Sequence, residues 1–141
     1  MEWRDVEITA ESLGWPAYLG TGDGGGRPHV SVMAPGFGER TLWFATRRGS
    51  RKLANIAAND QVFVHWAVGR EGPGELFVRG IATVHDSAEK RRRLWTEAHL
   101  PYDPSGFFGS PDNDDVVFVR VDVTMARLLG PDFSRRVWRR R

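Results

Sequence analysis

Cysteine is absent from this sequence of 141 residues, and with it any disulfide framework, thiol nucleophile or thiolate metal site. Lysine is nearly absent: Lys52 and Lys90 are the only two, and arginine supplies the other side-chain positive charge. Arginine suits bidentate recognition of phosphate or carboxylate. An arginine-rich, lysine-poor chain also follows from genome base composition, so most of these side chains carry no functional message. No long apolar run is present either. The opening Met1-Glu2-Trp3-Arg4-Asp5 carries acids, neither a secretory signal nor a membrane span is readable, and a cytoplasmic protein is the expectation.

Several catalytic and metal signatures are missing as well. There is no G-x-S-x-G elbow, and His29, His65, His85 and His99 show neither HExxH spacing nor an i,i+4 pair, so each reads as a satisfied strand or loop residue. Asp112-Asn113-Asp114-Asp115 has the composition of a calcium loop but lacks the glycine an EF-hand needs at its sixth position, and no metal site is expected. Gly20, Gly22 and Gly25 have dinucleotide-fingerprint spacing. Arg27-Pro28 and a strand follow them where that fingerprint requires a helix, which makes the stretch a hairpin tip.

What is present reads as one domain over residues 1–141, with 40% hydrophobic residues and six tryptophans arguing against disorder. Residues 2–13 read as a short helix or an arm. Strands are expected at 15–21 and 28–34, joined through Asp23-Gly24-Gly25-Gly26, followed by a turn at 35–38 and a strand at 41–46. After a helix at 50–59 come a strand at 61–66, a turn at 69–74 and a long strand at 75–85, in which Leu76, Val78, Gly80, Ala82 and Val84 alternate inward. In the strand at 61–66, Val62, Val64 and Trp66 share one face while Phe63 and His65 share the other, so that second face is either covered or meets a partner subunit. Asp86 and Glu89 form a capping box for a helix ending near His99, with residues 91–93 on its solvated side. A loop at 101–115 carries Phe107 and Phe108, which need something to pack on. A final strand covers 116–123, paired with 126–129. The tail from Arg135 is basic with one tryptophan, a composition also found in nucleic-acid-binding arms, but no recognition motif accompanies it and nucleic acid is not the expected partner.

The stretch from Thr41 to Asn59 organises the rest. Arg47-Arg48-Gly49 breaks the strand, Ser50 is a good N-cap, and Leu53, Ile56 and Ala57 fall on one helical face. Arg51 and Lys52 then occupy the first turn, where the helix dipole and unpaired N–H groups favour acidic residues. Two cations there mismatch the helix at a cost of roughly 0.3 to 1 kcal/mol each. The mismatch becomes favourable when a dianion such as phosphate sits on the helix end.

This stretch resembles the flavin-binding segment of the pyridoxamine 5'-phosphate oxidase-like family, the FMN-binding split β-barrels, in which a strand ending in Thr leads to Gly-Ser-Arg-Lys and a short helix. The matching residues are Thr46, Gly49-Ser50-Arg51-Lys52 and Asn59, with further likeness at Gly26-Arg27-Pro28-His29-Val30, along 62–66 and at Val78-Arg79-Gly80-Ile81-Ala82. The resemblance implies a mainly β fold with short helices, a six- to seven-stranded antiparallel split β-barrel. It also implies an FMN-dependent oxidoreductase acting on a small molecule, with the flavin in a cleft between two chains of a homodimer. Ser50, Arg51 and Lys52 would hold the phosphate, Thr46 would lie near the ring or ribityl chain, and Val30, Ser31, Val32 and Met33 would give backbone contacts. Trp66, Glu75 and residues 107–110 are candidates to complete the site from the second chain.

Departures from the family pattern narrow the expectation. Val30 and Pro35 stand where the biosynthetic oxidases carry Arg and Lys, Ala45 replaces an aromatic residue, and the C-terminal Arg and His motif is missing, so vitamin B6 oxidation is not expected. The chain looks closer to the short, general-stress-protein-like branch. A deazaflavin in place of FMN, a haem, or a non-catalytic flavin- or nucleic-acid-binding barrel are the alternatives.

Overall fold

The computed structural model describes residues 1–66 and 74–141. The turn expected at 69–74 lies, apart from Gly74, outside the described residues. The elements are α1 (Trp3–Leu13), β1 (Ala17–Gly22), β2 (Pro28–Met33), β3 (Gly36–Gly38), β4 (Thr41–Arg47), α2 (Arg51–Ala58), β5 (Gln61–Trp66), β6 (Glu75–His85), α3 (Ala88–Glu97), α4 (Ser105–Phe108), β7 (Val116–Leu129) and β8 (Arg135–Arg139). Among the described residues no helix is long and apolar enough to cross a membrane.

The strands form one antiparallel sheet ordered β2-β1-β5-β6-β7-β4-β3, with β8 added beside β7. The split originates in β7, a 14-residue strand. One of its edges pairs with β6, while the other is divided: residues 116–122 pair with β4 and residues 125–129 pair with β8. Near the fork, the β6 register shifts between Arg79 and Gly80. A Cβ on Gly80 would lie 2.6 Å from the Asp122 carbonyl oxygen, so glycine is required where the two strands crowd. The sheet curls without closing, and β2 and β3 stay at its ends.

β7 buries both faces. Val119, Val121 and Val123 join the main core with Leu19, Leu42, Val64 and Val78, whereas Val116 and Phe118 pack into a second cluster with Leu94 and Ala98 from the α3 region. Two-sided burial makes this strand the spine of the molecule, and alternation alone reveals only one of its two faces.

Several expectations are corrected. Among the described residues eight strands form rather than six or seven, because residues 36–38, read as a turn, pair with β4 as β3, and the basic tail pairs with β7 as β8. Trp138 of that tail is buried, its ring 5.2 Å from that of Trp3, so the tail is part of the fold rather than a free arm. Residues 116–123 and 126–129 are one continuous strand. Val84 is exposed at the end of β6. In α2, Asn55 replaces Ala57 on the buried side, because its amide donates to the Thr21 hydroxyl at 3.0 Å and anchors the helix to β1. Ser87, not Asp86, caps α3 by accepting from the Lys90 N–H at 3.2 Å. Arg91 is buried rather than solvated, its Nε donating to the Pro111 carbonyl at 2.8 Å.

Candidate functional site

β4 alternates Leu42, Phe44 and Thr46 inward with Trp43, Ala45 and Arg47 on the other side, which leaves the Thr46 hydroxyl buried at the strand's end. The chain then turns, the Ser50 N–H donating to the Arg47 carbonyl at 3.0 Å, and enters α2. Ser50 has N-cap backbone angles, but its hydroxyl makes no capping bond and is buried without a partner. A buried hydroxyl left unpaired costs about 1 to 3 kcal/mol, so such an atom calls for an explanation.

Lys52 points back along this turn. Its Nζ lies 3.4 Å from the Thr46 hydroxyl oxygen, a long hydrogen bond, and burial holds its ammonium below the usual lysine range. Among the described residues neither Arg51 nor Lys52 has a carboxylate at ion-pair distance. Ser31 and His29 occupy the less exposed side of β2, and the Ser31 hydroxyl and His29 Nδ1 are likewise buried and unpaired. The expectation that every histidine is satisfied is therefore corrected for His29, and for His85, both of whose ring nitrogens lack a partner.

Beside these groups lies a cleft of about 430 Å³. Val32, Met33 and Phe44 supply its sheet wall, Thr46 and Lys52 its polar end, and Trp15, Tyr102, Phe107 and Phe108 its aromatic cover. The cover is organised locally: the Tyr102 and Phe107 rings meet edge to face at 5.1 Å, and the Arg47 guanidinium lies 5.6 Å from the centre of the Phe108 ring. Burial pushes the Tyr102 phenol above its usual range, which keeps it a neutral donor. An apolar slot with a cationic, donor-rich end matches the chemistry of a planar ring carrying a phosphate tail.

Thus Thr46, Lys52, Val32 and Met33 line one cleft, together with Phe107 and Phe108 from the segment 107–110. Ser50 and Arg51 stand at the adjoining helix start, Arg51 exposed. Val30 shares the exposed face of β2 with Val32 but does not line the cleft, and is 65% exposed. Trp66 is buried and lines a different cavity, and Glu75 is engaged by His65 Nε2 at 2.9 Å. Sequence reasoning missed Trp15, Phe44 and Tyr102. Only the cluster of aromatic residues in the loop at 101–115 signalled the cover.

Beside the cleft, and continuous with it through Val32, β2, β1, β5 and β6 present an apolar surface. Register sets Val32 opposite Tyr18, Tyr18 opposite His65, and His65 opposite Phe77, and the Phe63 and Phe77 rings stack at 5.4 Å. Val30, Val32, Tyr18 and Phe63 are all exposed there.

Solved structures share this architecture. A protein from Clostridium acetobutylicum related to general stress protein 26 of B. subtilis, of the pyridoxinephosphate oxidase family, superposes with TM-score 0.78 at 12% identity, over 99% of this chain and 96% of that one. A heme binding protein from Mycobacterium smegmatis gives TM-score 0.77 at 14% identity, over 99% of this chain and 58% of its own. An F420 reductase gives 0.61 at 22% identity, over 82% and 94%. At these identities the likeness is one of fold. No curated protein matches the sequence. The model of the pyridoxamine 5'-phosphate oxidase family matches residues 16–130, which span β1 through β7 and the lining of the cleft apart from Trp15, and the chain belongs to that family.

Proposed function

We propose that the protein is a flavin-dependent oxidoreductase that works as a homodimer, with FMN or a phosphate-bearing deazaflavin as cofactor and a small molecule as substrate. The observation that carries this reading is the state of Lys52: a half-buried ammonium, desolvated and without a described acidic partner, at the polar end of an apolar cleft. A phosphate dianion supplies the missing counter-charge, and the unpaired Ser50 hydroxyl supplies a donor to it. Arg51, exposed on the first turn of α2, is free to close its guanidinium over the same group.

A flavin bound there contributes hydride transfer at its N5. The residues of this chain would do the positioning: Thr46 and Lys52 fix the phosphate end, Met33 and Phe44 support the ring, and Tyr102, Phe107 and Phe108 exclude water from it. The homodimer is supported by the apolar face of Val30, Val32, Tyr18 and Phe63, since a contiguous patch of this kind is costly to leave in water. The F420 reductase of the same fold supports a deazaflavin as the second reading, because the same cationic end would receive its phosphate.

The test is an absorption titration of the purified protein with FMN and with a deazaflavin, repeated on Arg51→Ala with Lys52→Ala. Wild type is expected to bind one of the two, and the double variant to bind it at least about 100-fold more weakly, as loss of two charge-assisted contacts implies. Failure of wild type to bind either, or unchanged affinity in the double variant, overturns the reading.

A further inference from the structure

A second cavity of about 400 Å³ adjoins the cleft, sharing Trp15, Ala34 and Pro101 with it as a common wall. Its location follows from close packing. A Cβ on Gly36 would overlap the Ala98 carbonyl oxygen and lie 2.6 Å from that of His99, so only glycine lets β3 press against the end of α3. That contact sets Phe37 and Pro35 on one side of the cavity and His99 and Pro101 on another. Trp66 forms the inner wall, its ring stacked on Phe37 at 6.1 Å with 27° between planes.

The charge of this lining is the informative feature. Among the described residues that line it there is no lysine or arginine, and Glu11, exposed on α1, is the one charged side chain. Among the described lining residues an anion would exchange its hydration for the carboxylate of Glu11 and for no lysine or arginine, with the His99 imidazole as the one basic group there, so its desolvation goes largely uncompensated. The adjoining cleft has the reverse character, with Lys52 in its lining beside Arg47, whose charge Asp115 meets at 3.0 Å.

We propose that this cavity is the substrate chamber of the enzyme and that it takes an uncharged, largely apolar small molecule, discriminating against phosphate esters. The assignment rests on the flavin reading for the word substrate, but the binding preference stands on the cavity alone. Phosphate recognition is thereby confined to the cofactor end, and the reacting molecule enters over Trp15 and Pro101.

The experiment compares 1-naphthol with 1-naphthyl phosphate by calorimetry on the FMN-loaded protein and on the protein without FMN, with amide NMR shifts to locate the binding. 1-Naphthol is expected to bind at least about ten-fold more tightly, with shifts at Ala17, Phe37 and His99. Glu11→Arg, an exposed helical substitution, is expected to strengthen 1-naphthyl phosphate binding about five-fold and to leave 1-naphthol within two-fold. Equal affinity for the two compounds, no binding of 1-naphthol, or shifts confined to Thr46 and Lys52 overturns the proposal. If 1-naphthol binds at Ala17 and Phe37 while neither FMN nor a deazaflavin binds, the flavin reading fails and the preference of the cavity stands.

Discussion

Four cations lie within six residues at the end of β4, and the structure treats them as two pairs. Arg48 makes a bidentate contact with Asp86 at 2.6 and 2.7 Å and also donates to the Asp114 carbonyl, while Arg47 reaches Asp115 at 3.0 Å. Arg51 and Lys52, one turn further on, have no such acids among the described residues. The first pair ties the β4–α2 turn to the start of α3 and to the loop before β7, so its charges are spent on the fold. The second pair is held at a helix end that does not need it, beside a hydroxyl that has no partner. Charges of identical type, a few residues apart, differ in whether the fold itself uses them.

The comparison can be broken most directly at Lys52. Lys52→Met removes a desolvated ammonium, and FMN affinity is expected to fall about 10- to 100-fold, the range for one charge-assisted hydrogen bond. Without ligand its melting temperature is expected to equal or exceed that of wild type. The pH dependence has a definite sign: the folded pKa is lowered, so the unfolded chain binds the extra proton and wild type gains stability as pH rises between the folded and unfolded values. A marked loss of thermal stability in the ligand-free variant would show that Lys52 belongs with the structural pair.

Arg48→Ala should behave in the opposite way. It frees Asp86, whose carboxyl the guanidinium holds below the usual range, and releases the loop at 114. A fall of a few degrees in Tm is expected, with FMN affinity changed by no more than about two-fold. Calorimetric melting and the flavin titration on one preparation check both halves.

The smallest effect is expected at His85, next to Asp86 in the well-paired region yet itself unpaired at both nitrogens. Burial lowers its pKa below 6.5, helped by Lys90, Arg120 and Arg93 and opposed by Asp122. The unfolded chain therefore takes up a proton first, and stability falls as pH drops through about 6.5 and levels off below the folded value. His85→Gln should flatten that part of a Tm against pH curve, and an unchanged slope would assign it to other groups.

Much of this was legible in the sequence, element by element. Alternation found the strands at 61–66 and 75–85, and a β-branched and aromatic run the strand at 41–46, because each buries mainly one face against a continuous core. The helix after Ser50 and the cations on its first turn were legible because propensity and the helix dipole are local properties. The strand at 36–38 was not, since its glycines read as a turn until β4 is there to pair with them. Arg91 was misassigned for a related reason: its partner, the Pro111 carbonyl, belongs to a loop twenty residues away.

Local pattern by itself determined most of the strands, the first hairpin and the cationic helix end, because side-chain period and turn chemistry are written within a few residues, and resemblance to known sequences supplied the family and the antiparallel barrel. Tertiary structure alone decided which cations are paired, that β7 forks the sheet, and that two cavities of opposite charge meet at Trp15, Ala34 and Pro101. Those outcomes depend on burial and on partners distant in the chain, and the free energy of a charge is set by what surrounds it once water is gone.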